Sequence, residues 1–479
     1  MAVLANLEPK SVFNFFEQMC AIPHGSGNIQ AISDWLVKFA EDRGLEVHRD
    51  HMNNVIIIKE ATPGYENAAP VILQGHMDMV CETAPDCKKD MAKEGLDLAI
   101  DGDIVYAKGT TLGGDDGIAV AMALAVLDSK ELKHPRVEAV ITVDEEIGLL
   151  GAAGIDVTPL TARRMINIDS EEEGIFTVSC AGGNDTHCVL PVTRAASEGA
   201  VLAIKVGGLI GGHSGAEIDK GRANANLVMG RVLHAVSKKT DMRLVSVAGG
   251  QKTNVITRES FAVIAAKDAE AVKAACAEVE AEMKAEYAST DPDVFIAVEE
   301  GKADMLPMDA ESTQRAVTML HCMPNGIYAM SADIEGLVQT SSNLGALSTE
   351  ESRIVACSSV RSSIGSQKCM ISDRIVCLLE QLGGSVEITG DYPGWAYAKE
   401  SPLRDLLAEV FTEQYGHEPR IEAIHAGLEC GMFAGKLPGL DCVSIGPDLK
   451  DIHTCREKLY IASTQRVWKM LVEALARMK

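Results

Sequence analysis

The stretch VILQGHMDMVCE, residues 71–82, carries the apolar run Val71, Ile72 and Leu73 into Gly75, His76, Met77 and Asp78. Alone, an imidazole and a carboxylate at a strand end have an ordinary reading as a core histidine with its partner. Other stretches end the same way. VEAVITV, 137–143, runs into Asp144, Glu145 and Glu146; RMINI, 164–168, runs into Asp169; and TTLGGDDG, 110–117, sets Asp115 and Asp116 just ahead of an apolar run. In open parallel sheets, ligands collect beyond the carboxyl ends of the strands, so these acids converge on one place. Singly, Asp115 or Asp116 could cap the following helix, and Glu171, Glu172 and Glu173 read as a solvated turn. Several carboxylates held side by side away from water, however, stay ionised only with a compensating cation.

Nitrogen and oxygen donors without paired cysteines suit zinc, manganese or cobalt, and a carboxylate-rich set suits two ions sharing a bridging group. On this reading His76 and Asp169 bind one ion, Glu146 and a distant histidine bind the other, and Asp115 bridges. Asp78 then hydrogen-bonds the free ring nitrogen of His76 and fixes its tautomer.

The elements that must position these residues alternate in type. Helical spacing marks SVFNFFEQMC and IQAISDWLVKFAEDRG, extended patterns mark NNVIIIKEA and VILQGHMD, and the run GIAVAMALAVLDSKEL predicts a helix before the strands at 137 and 164. Apolar strands separated by helices predict an α/β domain with a mainly parallel sheet covered on both faces. The pattern changes near GIFTVSCAGGND, 174–185, and again at ITGDYPGWAYAKESPL, 388–403, after which LRDLLAEVFTEQYG and LDCVSIG restore the α/β rhythm.

At 479 residues the chain exceeds what one core usually organises. Its 44 basic and 69 acidic residues leave a formal charge of -25, which argues against nucleic acid and anionic membrane surfaces as partners. The N-terminus lacks the charged-then-apolar order of a signal peptide, and the longest apolar run, 118–127, is too short to span a bilayer. Thirteen cysteines without a CxxC pair suit reduced thiols, so a cytoplasmic location is expected.

The motifs GHMD, TTLGGDDG, TVDEEIGL, NIDSEEEG, GGHSGAEI and HAGLECG, in this order along nearly the whole chain, resemble those of the co-catalytic zinc peptidase superfamily that includes carboxypeptidase G, aminoacylase and the carnosinases. Within it they look most like the bacterial aminoacyl-histidine dipeptidase (peptidase D) branch. The resemblance implies a zinc-peptidase-like catalytic domain, 1–184 with 391–479, interrupted by an α+β lid domain, 185–390. It implies that the distant histidine is His453, in GPDLKDIHTCREKL, and that the Asp115–Asp116 peptide is cis. It further implies Glu145 as general base, His213 as the group that polarises the scissile carbonyl, and Asn254, Arg361 and Gly427 as substrate-binding residues. Zinc is the implied metal, two ions per chain, with cobalt or manganese as substitutes. The resemblance allows a homodimer.

The expected activity is hydrolysis of Xaa-His dipeptides, including β-alanyl-histidine. The nearest alternative is an amidohydrolase of the same architecture acting on N-acyl amino acids or peptide C-termini, which a substrate panel separates. A two-metal phosphoesterase would need a basic cluster beside the acids. A metal-binding protein without catalysis would not need Glu145 beside a complete ligand set.

Overall fold

The computed structural model describes residues 2–479, which form two compact units. The first comprises residues 2–179, Tyr397–Ala423 and Leu428–Lys479; the second comprises Cys180–Ala396 and Ile424–Gly427. The short piece Ile424–Gly427 takes the first residues of HAGLECG into the second unit.

An eight-stranded sheet organises the first unit. Its order is Glu46–Arg49, Val55–Lys59, Val137–Thr142, Val71–His76, Arg164–Asn167, Asp441–Ser444, Ile175–Cys180 and Arg420–Ile424. The fold is α/β as expected, with parallel pairing among the four strands from Val137–Thr142 to Asp441–Ser444 and antiparallel pairing beside them. The short connection between Arg49 and Val55 closes a hairpin, which must be antiparallel, whereas parallel neighbours require a longer crossover. Apolar periodicity reports burial and is blind to strand direction.

Val71–His76 and Val137–Thr142 are buried at every position. Helix Gly114–Asp128 is also buried nearly all round, which is why its sequence shows no polar stripe. Helix Lys10–Cys20 packs on it, with Phe16 and Met19 lying against Gly117. The start of helix Gly114–Asp128 presses against the end of the central strand at Gly75. A Cβ there would stand 2.4 Å from an Asp116 carboxylate oxygen and 2.6 Å from Ala119 Cβ, so only glycine admits that approach.

A four-stranded sheet carries the C-terminal segment back. Leu449–Lys450 and Lys458–Tyr460 pair antiparallel, and Lys458–Tyr460 pairs with Ile104–Ala107. His453 lies in the loop between the first two. Both Asp451 and His453 take left-handed backbone angles there, with φ of 54° and 57°.

The second unit is a nine-stranded sheet, antiparallel at each of its pairings. Helices Ala225–Lys239, Ala269–Glu286, Ala310–Cys322 and Gly365–Gln381 share one apolar core with it. Among the described residues, no helix is long and apolar enough to cross a membrane.

Candidate active site

The expected acids and imidazoles of the first unit converge beyond the carboxyl ends of its central strands. His76 is the last residue of its strand, 1% exposed. Its Nε2 stands 3.2 Å from Asp115 Oδ1 and 3.6 Å from Asp169 Oδ1. His453 Nε2 lies 3.2 Å from Asp115 Oδ2 and 2.9 Å from Glu146 Oε1. The two oxygens of Asp115 therefore face two different imidazoles. Donors on a tetrahedral ion with bonds of about 2.0–2.2 Å stand roughly 3.3–3.6 Å apart. The spacings here match that within a few tenths of an ångström, so the donor set fits two divalent cations sharing Asp115.

Charge makes the same point. Burial works against a protonated His76, but the carboxylates of Asp115, Asp169 and Asp78 outweigh it and hold the ring well above its ordinary value. Hydrogen bonds to Asp115 and then to Glu146, with the charges of the same two carboxylates, hold His453 up at about 10. Burial, with Asp115 among the neighbouring charges, pushes Asp169 up to about 6 and Glu171 up to about 7. Seven carboxyl groups against two imidazoles is an excess that divalent cations would relieve: Asp115, Asp116, Glu145, Glu146, Asp169, Glu171 and Glu429.

Asp78 is placed differently from the simple expectation. Its carboxylate stands 3.5 Å from His76 Nδ1, while its backbone carbonyl stands closer, at 3.0 Å. A carbonyl only accepts, so Nδ1 carries the hydrogen and the Nε2 lone pair is left for a metal. The Asp78 carboxylate accepts instead from Ser26 Oγ at 2.8 Å, Glu145 N at 3.1 Å and Glu146 N at 3.4 Å. It thereby fixes the turn that presents both glutamates. The strand has ended at Thr142 and Asp144 takes φ 51°, so the alternation of side chains has stopped and neighbouring residues can face one site. Burial, reinforced by Asp169, Glu429 and Glu146, pushes the Glu145 carboxyl up to about 9.

The Asp115–Asp116 peptide is cis. Neither aspartate caps the helix: the cap is Gly113, with no side-chain bond. Asp116 is 1% exposed and accepts from His76 N at 3.3 Å; burial, then Asp169, raises its pKa well above the ordinary range.

Two acids that sequence reasoning passed over support the centre. Glu457, 3% exposed, accepts from the backbone N–H groups of Leu112, Gly113, Gly114 and Asp115 at 2.7, 3.1, 2.8 and 3.3 Å. It ties the segment bearing His453 to the loop bearing Asp115. Glu429, fully buried, accepts from Thr142 Oγ1 at 2.8 Å and from Gln74 Nε2, and its other oxygen has no hydrogen-bond partner. Burial, with the charge on Asp169, pushes it up to about 7. The available signal was polar residues, Gln74 and Thr142, within otherwise apolar strands.

The cradle gives a direct expectation. Glu457→Ala strands four backbone donors in the interior at about 1–3 kcal/mol each before relaxation, so the Asp115 loop loosens. Metal titration should show weaker binding, with Glu457→Gln intermediate because an amide oxygen still accepts; equal affinity in all three proteins would refute the coupling.

The remaining candidates, His213, Asn254, Arg361 and Gly427, lie in the second unit. His213 pairs with Val255, and Ser214 N donates to the Asn254 carbonyl at 2.9 Å, so the two loops are stitched together. Asn254 is exposed and Gly427 half-buried. His213 Nδ1 accepts from the backbone N–H groups of Gly215 and Ala216 at 3.2 and 2.9 Å, which leaves the ring hydrogen on Nε2. Burial and the Arg361 charge hold His213 below the ordinary imidazole value. His425, which the sequence reading also passed over, is 8% exposed and hydrogen-bonded through Nε2 to Ser341 Oγ at 2.7 Å; burial and then Arg361 push it down to about 4.

Comparison with known proteins adds to this geometry. The family described as peptidase family M20/M25/M40 matches residues 72–477. The chain is 36% identical over 483 residues to the cytosol non-specific dipeptidase of Escherichia coli (strain K12), covering 99% of each. Among solved structures, the aminoacylhistidine dipeptidase from Vibrio alginolyticus superposes with a TM-score of 0.94 at 37% identity, over 98% of this chain and 97% of that one. Aminopeptidase PepT from Bacillus cereus ATCC 10987 matches with a TM-score of 0.56 at 17% identity over 98% and 99%, a likeness of fold.

Proposed function

The chain belongs to peptidase family M20/M25/M40 and is a metal-dependent peptide hydrolase, and on that premise we propose that it is a dipeptidase acting on Xaa-His substrates, β-alanyl-histidine among them. The observation that carries the hydrolytic centre is Asp115 facing His76 through one oxygen and His453 through the other, each at 3.2 Å, and the Xaa-His preference is supported by the 37% identity to the aminoacylhistidine dipeptidase. His76 and Asp169 would hold one ion, Glu146 and His453 the other, and Asp115 both. Two divalent ions, zinc first and cobalt or manganese as substitutes, would polarise the scissile carbonyl and lower the pKa of the attacking water to about 7.

The chain's own groups do the rest. Glu145 takes a proton from the attacking water as its oxygen bonds to the carbonyl carbon, and returns that proton to the amine nitrogen as the C–N bond breaks. Asp78 keeps His76 in one tautomer and Glu145 in place through the bonds described above. His213, with its hydrogen on Nε2, donates to the developing oxyanion. Arg361, Asn254 and Gly427 bind the substrate, Arg361 through its free carboxylate. All thirteen cysteines are free, and the Escherichia coli relative is described as cytosolic, which supports a cytoplasmic location.

The test is metal-reconstituted protein assayed against carnosine, Ala-His, Gly-Gly-His and an N-acetyl amino acid. The expected result is rapid hydrolysis of the two histidine dipeptides at two metals per chain, and little of the others. Preference for the N-acetyl amino acid would replace the reading with an amidohydrolase; equal turnover of dipeptides lacking histidine would leave a dipeptidase without Xaa-His specificity.

A further inference from the structure

Arg361 stands among groups that leave its charge unspent. Its Nη1 donates to the hydroxyl of Tyr392 at 3.2 Å, and its Nε is buried without a hydrogen-bond partner. Among the described residues no carboxylate forms an ion pair with it. The imidazoles that feel its charge, His213 and His425, are both held toward their neutral forms by burial and by Arg361 itself. A guanidinium has five N–H donors in a rigid fork, so most of its donors remain to be used.

The sheet is built to bring Tyr392 to it. Arg361 pairs with Gly183 on the neighbouring strand, and Tyr392 pairs with the same Gly183 from the other side, after a register shift between Thr389 and Tyr392. Such irregularities re-aim side chains. Lys368, 4% exposed, donates to the Tyr392 carbonyl and anchors the segment. The tyrosine lies across Gly183: a Cβ there would stand 2.8 Å from its hydroxyl and 3.0 Å from its ring.

We propose that Tyr392 is the positioning residue for Arg361, orienting the guanidinium for the substrate's free carboxylate while leaving its positive charge uncompensated. The inference rests on the carboxylate-binding role proposed above for Arg361. A neutral acceptor is what the task requires. An Asp or Glu at the tip of that side chain would hold the fork equally well, but as an ion pair that competes with the substrate. With no hydroxyl, the long arginine side chain would have to be ordered by the substrate itself, at a cost in binding entropy.

The test compares the metal-loaded parent with Tyr392→Phe, Gly183→Ala and Arg361→Ala. In Tyr392→Phe the KM for Ala-His should rise about fivefold to tenfold, the scale of one hydrogen bond, with kcat within about twofold because binding is lost equally in ground and transition states. Metal content should be unchanged, and a dipeptide amide, which offers no carboxylate, should inhibit the variant as it inhibits the parent. Gly183→Ala, whose methyl displaces the hydroxyl, should change KM in the same direction without altering either partner. Arg361→Ala sets the full size of the effect. A Tyr392→Phe enzyme with unchanged KM beside an impaired Arg361→Ala would overturn the positioning role and leave the function standing. Equal losses in kcat and metal content would reduce Tyr392 to a packing residue. If Arg361→Ala binds Ala-His normally, the carboxylate role of Arg361 falls, and this inference with it.

Discussion

Glu145→Gln should retain both metals and lose activity by about 10²-fold or more, the scale of a positioned base. The amide keeps the shape of the side chain and its place in the turn held by Asp78, since Asp78 accepts from backbone N–H and not from the glutamate itself. What disappears is the carboxylate proposed to take the proton. The pH profile sharpens the test: a base works ionised, so parent activity falls as pH drops through the Glu145 pKa. Burial sets that pKa at about 9, and bound cations pull it down by favouring the anion. In the glutamine variant this acid limb should vanish from kcat/KM. Glu146→Gln should behave differently. Its carboxylate sits 2.9 Å from His453 Nε2, so the loss falls on occupancy of one metal site, and excess metal should partly restore the rate. A Glu145→Gln protein that lost metal and recovered on adding it would exchange the two roles.

The second large effect is expected at Asp115. Asp115→Ala removes the group that faces both imidazoles, so both ions should be affected at once: metal content below two per chain, and affinity lowered by more than the 10–100-fold typical of losing a residue behind a ligand. Because Glu457 holds the Asp115 backbone, the loop should keep its place, and the loss should exceed that of Glu457→Ala. Metal analysis beside circular dichroism checks this. Full metal content with an unaltered rate would remove Asp115 from the centre and move attention to Asp116, which with His76 and Asp169 also forms a compact donor group.

Much of this site could be read in the chain because chemistry sat where buried strands stop. His76, Glu145, Glu146 and Asp169 each follow an apolar run, and a run of that kind must end where the backbone leaves the sheet, so adjacency in sequence became adjacency in space. His453 was reached only through the family resemblance, because its nearer partner, Glu146, lies 307 residues away and no local pattern encodes a small sheet that returns the C-terminal segment to Ile104–Ala107. Strand direction at the margins was also hidden, since apolar periodicity is the same for parallel and antiparallel neighbours.

Glu457 and Tyr392 looked like any glutamate and tyrosine. The first is defined by four backbone N–H groups contributed from residues 112–115, the second by a glycine on a neighbouring strand and a shift of register. The sequence reading already takes Asp115 as the bridge, but the geometry that separates it from Asp116 belongs to the same class. Consecutive aspartates have identical chemistry, and which one points its two oxygens at two imidazoles depends on where the backbone of helix Gly114–Asp128 begins against Gly75. Sequence determined which donors exist and that they gather at strand ends; tertiary structure decided which oxygen faces which nitrogen, because a hydrogen bond or a metal ligand is selected by a few tenths of an ångström that no residue type carries by itself.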